Sequence, residues 1–365
     1  MEIARRVLRS VPLFDGHNDL PWAIRNAEGA PMSVEGYGLR GPTAGHTDLD
    51  RLGEGMVGAQ FWSVYVPYDA VTEGAARVQL EQIDIALQVI RENDDHLALA
   101  RSTDEVFEAF AKGKVASLLG MEGGHAIENS LGALRAFYDL GVRYMTLTHS
   151  ATIDWADAGT GDPTHGGLTA FGEAVVSEMN WLGMLVDLSH TAPSTMHDAL
   201  DIARAPVIFS HSSARAVTEH PRNVPDDVLE RLPDNGGVVM ITFVPSFIND
   251  AVRDHDGNGP APRATMDDVI RHIEHVRDVA GIDHVALGSD FDGITSVPVG
   301  LEDVSKFPDL FAELSRRGWT ETDLRKLAGD NLVRVMREAE YTARQMHRER
   351  GPNTSTIEQL DGSVS

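Results

Sequence analysis

The sequence predicts a single (β/α)8 barrel, and three observations carry that expectation. Eight short runs rich in Val, Ile, Leu and Phe alternate with longer stretches of helical periodicity, the rhythm of βα units around a parallel sheet. No Pro/Ser-rich linker divides the 365 residues, a length that one large barrel can use. Six of the eight runs end in His, Asp or Glu where an apolar strand should hand over to a loop, the rim at which barrel enzymes carry their active sites. A doubly wound open sheet is the alternative, but six polar strand ends converge on one place only if the sheet closes.

Taken in order, Pro12–Asp19 is the first strand and ends in FDGHNDL. His17 and Asp19 are two apart, so on an extended strand both side chains leave the same face and can reach one ion. Taken alone, an exposed His beside an Asp that caps the next helix explains the pair at least as well. The Gly-rich Glu28–Gly58 segment reads as a surface loop, Val57–Val66 as the second strand and Ala76–Arg91 as a helix. Val115–Glu122 leads into MEGGHAI, where two glycines after Glu122 let the backbone turn sharply toward a ligand. An early helix position favoured by the dipole is an equal alternative for Glu122, and His125 reads as an ordinary loop or helix residue.

Ser130–Leu140 is helical, and Val142–His149 ends in LTHS, where spacing leaves His149 open as ligand, electrophile or core histidine. Beyond the Phe171–Trp181 helix, Met184–His190 and Val207–His211 end in His on consecutive strands, a pattern that favours metal over a lone hydrogen-bonded imidazole. Ser189 and Ser210 precede them, but alternation points them away from the same site and no G-x-S-x-G elbow occurs. Gly237–Val244 is the seventh strand, Asp250–Arg263 a loop and Met266–Ala280 a helix. His284–Asp290 closes the set with ALGSDFDG, in which Asp290 and Asp292 are again two apart. Asp323–Arg337 is helical. The barrel domain is expected over residues 1–340, followed by a polar C-terminal segment 341–365 whose Gly351–Ser365 part reads as a loose tail.

Composition limits the function. The 56 acidic residues against 31 basic ones give a net charge of −25, which repels phosphate backbones and anionic lipid surfaces, so neither nucleic acid nor membrane is an expected partner. With no cysteine, metal binding must use His and carboxylates. No apolar run of signal-peptide or membrane-span length occurs, and a cytoplasmic location is expected. No phosphate-binding loop or convincing dinucleotide fingerprint competes with a metal site. A binuclear centre would give the cluster one purpose, because two ions about 3.5–4 Å apart share and activate one water.

FDGHNDLP, MEGGH, LTHS, DLSH, FSHSSAR, RNVPDD, GSDFDG and GLEDVSKFPDLFAELSRRGWT, in this order from about Leu13 to Glu340, resemble the membrane dipeptidase (renal dipeptidase) family of zinc peptidases within the amidohydrolase-like barrels. The resemblance implies a metallo-dependent hydrolase with two Zn2+ per subunit, His17 and Asp19 on one, His190 and His211 on the other, and Glu122 bridging. It implies that His149 contacts the scissile carbonyl oxygen and that Arg222 takes the substrate's C-terminal carboxylate. Asp290, in preference to Asp292, would move a proton from the metal-bridging hydroxide to the leaving amine. The expected substrate is an L,L-dipeptide or one with a D-residue at its C-terminal position, and a homodimer is possible. The rival readings are an amidohydrolase of N-acyl amino acids or lactam-like amides and a catalytically silent metal-binding protein. Mammalian members are secreted, disulfide-containing and lipid-anchored; the cysteine-free chain departs from them, so membrane association is not carried over.

Overall fold

The computed structural model describes residues 1–362. Nine strands form one sheet: β1 (Leu13–Asn18), β2 (Val57–Ser63), β3 (Leu97–Leu99), β4 (Val115–Glu122), β5 (Val142–Thr146), β6 (Leu185–Asp187), β7 (Ile208–Ser212), β8 (Val238–Ile241) and β9 (Val285–Leu287). Every pairing is parallel, and the order β1-β2-β4-β5-β6-β7-β8-β9 makes an eight-stranded barrel, with β3 added beside the first residues of β4. The two ends of that path meet at the rim. Asp19 donates its N–H to the Phe291 carbonyl at 2.9 Å, and Asp290 donates to the His17 carbonyl at 3.1 Å. Among the described residues one bridge, Asn18 to Phe291, joins them, so the seam between β1 and β9 is as thin as that between β6 and β7, which share the single pair Asp187 and Ile208.

Strands covered on both faces should be apolar throughout, and nearly every strand residue is buried. Alternate residues such as Phe14, Phe61, Leu118, Tyr144, Ile208 and Met240 form one inner cluster. Leu332, Val335 and Met336 of the Asn331–Glu349 helix join it and close the end of the barrel away from the strand C-termini. The opposite strand faces pack into a larger cluster with the surrounding helices, among them Ala75–Glu92, Leu131–Leu140, Ala170–Leu182 and Met266–Ala280. Among the described residues no helix is long and apolar enough to cross a membrane.

Several expected elements differ. His149, His190 and Asp290 lie beyond the last ladder residues Thr146, Asp187 and Leu287. His190 and Asp290 have φ of 69° and 68°, a left-handed conformation that no strand accommodates. The Glu28–Gly58 loop contains short helices at Val34–Tyr37 and Leu49–Glu54, and the N-terminal helix Glu2–Ser10 has no counterpart in the sequence reading. The Asn331–Glu349 helix runs past Arg337, a short helix Ile357–Leu360 follows, and residues up to Asp361 are docked instead of loose. The buried Glu178 carboxylate supplies the reason, accepting from Arg135 at 2.8 Å, Arg350 at 3.0 Å and the Asn353 N–H at 3.1 Å. Asp361 accepts from Thr169 Oγ1 at 2.6 Å and the Phe171 N–H at 3.1 Å, filling donors at the start of the Ala170–Leu182 helix.

Candidate active site

Six of the eight barrel strands, β1, β4, β5, β6, β7 and β9, deliver a polar residue at or just past their C-terminal ends to one cluster. Glu122, the last residue of β4, stands at the centre: its Oε2 lies 3.5 Å from His17 Nε2, while Oε1 lies 3.1 Å from His190 Nε2 and 3.3 Å from His211 Nε2. His17 Nε2 is also 3.3 Å from Asp19 Oδ2. Ligand atoms of three sets, His17/Glu122/His211, Glu122/His149/His190 and His17/Asp19/Asp290, fall within 4.8 Å of one another. Strand alternation is not what joins His17 to Asp19. Asp19 already sits at the N-cap of the Leu20–Arg25 helix, makes no capping bond with its side chain and turns it toward His17.

Two glycines make room. Gly123 has φ 115°, which lets the chain leave β4 abruptly after Glu122. A Cβ at Gly293 would lie 2.2 Å from Asp19 Oδ2 and 2.5 Å from Asp290 Oδ1, so only glycine lets those two carboxylates share the turn.

The residues beneath the rim fix which imidazole nitrogen is free. Tyr144 donates its hydroxyl proton to the Gly16 carbonyl at 3.3 Å, so at 2.8 Å it receives the Nδ1 proton of His17, and Nε2 keeps its lone pair. Ser210 donates to Asp187 at 2.6 Å and accepts from His211 Nδ1 at 2.9 Å, with the same outcome. His17 Nε2 and Asp19 Oδ1 are buried and have no hydrogen-bond partner, and the Nε2 atoms of His190 and His211 face each other at 2.9 Å. Burial would raise the Glu122 carboxyl, yet His17, His190 and His211 around it hold it well below the carboxylate range. Burial keeps His190 and His211 well below the ordinary imidazole value. Burial would lower His17 too, yet Tyr144, Glu122 and Asp19 raise it well above the ordinary imidazole value, the attraction for positive charge that a cation held at this point would answer. Imidazole nitrogens and carboxylate oxygens converging without other partners are the donor set of a divalent transition metal, so the residues fit such ions.

Above the cluster lies a cavity of about 390 Å³, whose wall includes Trp22, Tyr65, Val244, Phe247 and Ile294. That is within the range of small-molecule sites, about 300–1,000 Å³. Arg222 enters it from below Phe247: Nη2 donates to the His211 carbonyl at 3.2 Å, while Nε and Nη1 are buried without partners. Burial brings its guanidinium down to about 10, which leaves it charged at neutral pH. His149 stacks on His190 with ring centroids 4.2 Å apart and on Tyr65 at 4.8 Å. Burial lowers its basicity. Asp290 faces the cavity, and burial, reinforced by Asp19 and Glu122 and opposed by His17 and Arg222, pushes its carboxyl well above the usual range.

Every residue singled out in the sequence for this site reaches the cluster or its cavity; Asp292 does not, being turned away onto His46. Ser189 and Ser210 stay below the rim on His211 and Asp187. Sequence reasoning did not find Tyr144, Asp15 and Asp187, although an acid inside the apolar runs LFDGH and LVDLSH is a visible signal. Trp22, Tyr65, Phe247 and Ile294 carry no signal before folding.

A rim of this kind, built to hold cations at the mouth of a parallel barrel, places the chain among the metal-dependent barrel hydrolases. It matches the model of the membrane dipeptidase family, peptidase family M19, over residues 1–350. It is 46% identical over 355 residues to Dipeptidase verJ of Clonostachys rogersoniana, an alignment covering 94% of this chain and 88% of that one. A metallo-peptidase from Rhodobacter sphaeroides, solved with a phosphinate mimic of the dipeptide L-Ala-D-Ala, is 31% identical with a TM-score of 0.79, over 90% of this chain and 99% of its own. The solved dipeptidase AC, a metallo-peptidase of family M19, is 32% identical with a TM-score of 0.78, over 90% and 98%. The chain therefore belongs to the membrane dipeptidase family and is a metal-dependent dipeptidase.

Proposed function

We propose that this dipeptidase works with two zinc ions, His17 and Asp19 holding one, His190 and His211 the other, and Glu122 shared between them. The observation that carries this reading is the division of Glu122: Oε2 turns to His17 and Oε1 to the His190/His211 pair. When bound, the ions supply Lewis acidity, polarising the scissile carbonyl and making water acidic enough to attack near neutral pH.

The side chains around them do the rest. Arg222 offers Nε and Nη1 to the C-terminal carboxylate of the dipeptide, for which a guanidinium fork is well shaped. His149, kept neutral by burial, donates one N–H to the scissile carbonyl oxygen as negative charge develops there. Asp290 accepts a proton from the attacking water as the C–O bond forms. It delivers that proton to the amine nitrogen as the C–N bond breaks, a task suited to a carboxyl whose proton affinity is raised. The substrate class is L,L-dipeptides together with L-Xaa-D-Xaa dipeptides, the latter supported by the L-Ala-D-Ala mimic bound to the Rhodobacter sphaeroides relative.

Elemental analysis of active enzyme should give close to two divalent ions per chain, and His190→Ala should lower metal content and activity together. Asp290→Asn should retain the metals and lose about 10²–10⁴-fold in kcat. Full activity with one ion, or an unimpaired Asp290→Asn, refutes the corresponding part of the reading. Rates on paired L,L- and L,D-dipeptides decide the stereochemical part.

A further inference from the structure

Asp290 stands on a turn that ought not to be stable by itself. Asp290 and Asp292 have φ of 68° and 64°, a left-handed conformation unfavourable for a residue with a Cβ, less so for Asp than for most. The turn also lies on a thin seam of the barrel, where the chain after β9 reaches β1 through one bridge at Asn18 and Phe291. Such a conformation persists only where the surroundings over-determine it.

The over-determining contact comes from a distant segment. His46 donates its backbone N–H to Asp292 Oδ1 at 2.6 Å, and Asp292 returns its own N–H to His46 Nδ1 at 2.9 Å. The next residue, Thr47, accepts from Asn18 Nδ2 at 2.8 Å, so residues 46 and 47 hold both sides of the seam. The segment is itself fixed by Arg51, which donates to the Gly45 carbonyl at 2.9 Å and to Thr43 Oγ1 at 2.8 Å while its Nε pairs with Asp48 at 2.6 Å. The fit is close: a Cβ on Gly45 would lie 2.3 Å from Asp292 Oδ1. No residue of the 28–50 segment lines the catalytic cavity, so it reaches the chemistry through this clasp and the Thr47–Asn18 hydrogen bond.

We propose that His46 is a positioning residue for the peptidase reaction, clasping Asp292 so that the strained turn holds the Asp290 carboxylate over His17 and Asp19. Asp292 is then the handle of the turn and carries no proton. The inference rests on the role given to Asp290 above. It demands only a backbone N–H donor and a side-chain acceptor at position 46, and the acceptor can come from another side chain: Asn carries Oδ1 where His carries Nδ1.

The test compares metal-loaded variants by kcat, KM, metal content and melting temperature. His46→Ala and Gly45→Ala should each lose about 10- to 100-fold in kcat, the scale of a misplaced catalytic group, with KM and metal content near the wild-type values. His46→Asn should recover most of that loss. Asp292→Asn, whose Oδ1 still accepts from the His46 N–H, should stay within a few-fold of wild type, while Asp292→Ala falls with His46→Ala. A kcat for His46→Ala within twofold of wild type overturns the clasp, as does a His46→Asn as slow as His46→Ala. An Asp292→Asn as inactive as Asp290→Asn overturns it by making Asp292 a proton carrier. An active Asp290→Asn instead removes the Asp290 role itself, which is read independently of any His46 variant.

Discussion

Replacing Arg222 by Met tests whether the enzyme measures the length of its substrate. Arg222 is 3% exposed, and its guanidinium spends one nitrogen on the His211 carbonyl, leaving Nε and Nη1 for a ligand. A carboxylate received there is fixed relative to the metal cluster, so one residue fits between it and the bond under attack, and a tripeptide displaces one or the other. A buried charge-assisted hydrogen bond is worth about 1.5–3 kcal/mol, or about 10- to 100-fold in kcat/KM. Arg222→Met also removes a partner from His211 and so slows all substrates to some degree. The informative quantity is therefore the ratio between a free dipeptide and its amide, measured on both enzymes. Wild type should prefer the free acid by about 10- to 100-fold, and the variant should bring the two close together. Equal losses on both substrates would show that Arg222 supports His211 and does not read the carboxylate.

Two further outcomes follow from buried groups. Tyr144→Phe keeps the ring but removes the acceptor that receives His17 Nδ1–H at 2.8 Å, so divalent-ion affinity in chelator titrations should weaken by about 10- to 100-fold, and unchanged affinity would refute the tautomer argument. His272 is buried, accepts the Ala214 N–H on Nδ1 at 3.0 Å and is lowered by burial to about 4. Its neutral form thus stabilises the fold fully above the unfolded value near pH 6.5, and up to about 3 kcal/mol is lost as pH falls from there toward 4. Denaturant midpoints of His272→Gln should fall less steeply than wild type across that window; parallel curves would refute the assignment.

The barrel was legible because its strands are buried on both faces, and a parallel sheet then spells itself as uninterrupted apolar runs. Strand ends were less so. Met184–His190 reads as one run, but the left-handed turn at His190 depends on what surrounds it and leaves no local mark. The residues of the cluster were legible because a polar side chain ending an apolar run has no packing reason to be there. The cavity wall was not, since Trp22, Tyr65 and Phe247 look like any core aromatic until the fold assembles them. The C-terminal residues look loose by composition. Their polarity instead complements the buried Glu178, a residue almost 200 positions before the chain end whose need for partners is invisible in sequence.

What joins fold to site is a device used twice. Asp15 accepts the Ser289 N–H at 2.7 Å and the Ser289 Oγ–H at 2.6 Å; Asp187 accepts the Ser210 N–H at 2.8 Å and the Ser210 Oγ–H at 2.6 Å. Each acid is fully buried, and in each pair the serine comes immediately before a residue of the cluster, Asp290 or His211. Burying a carboxylate is costly, and burial raises Asp15 to about 6, so these acids are poor choices for stability alone. Their effect is on register. A carboxylate that grips both the backbone and the hydroxyl of one serine cannot tolerate a slip of the neighbouring strand end. The slip it forbids would carry Asp290 away from His17, or His211 away from His190. The same two acids therefore set the spacing within both halves of the cluster, and Glu122, with one carboxylate oxygen toward His17 and the other toward His190 and His211, faces both.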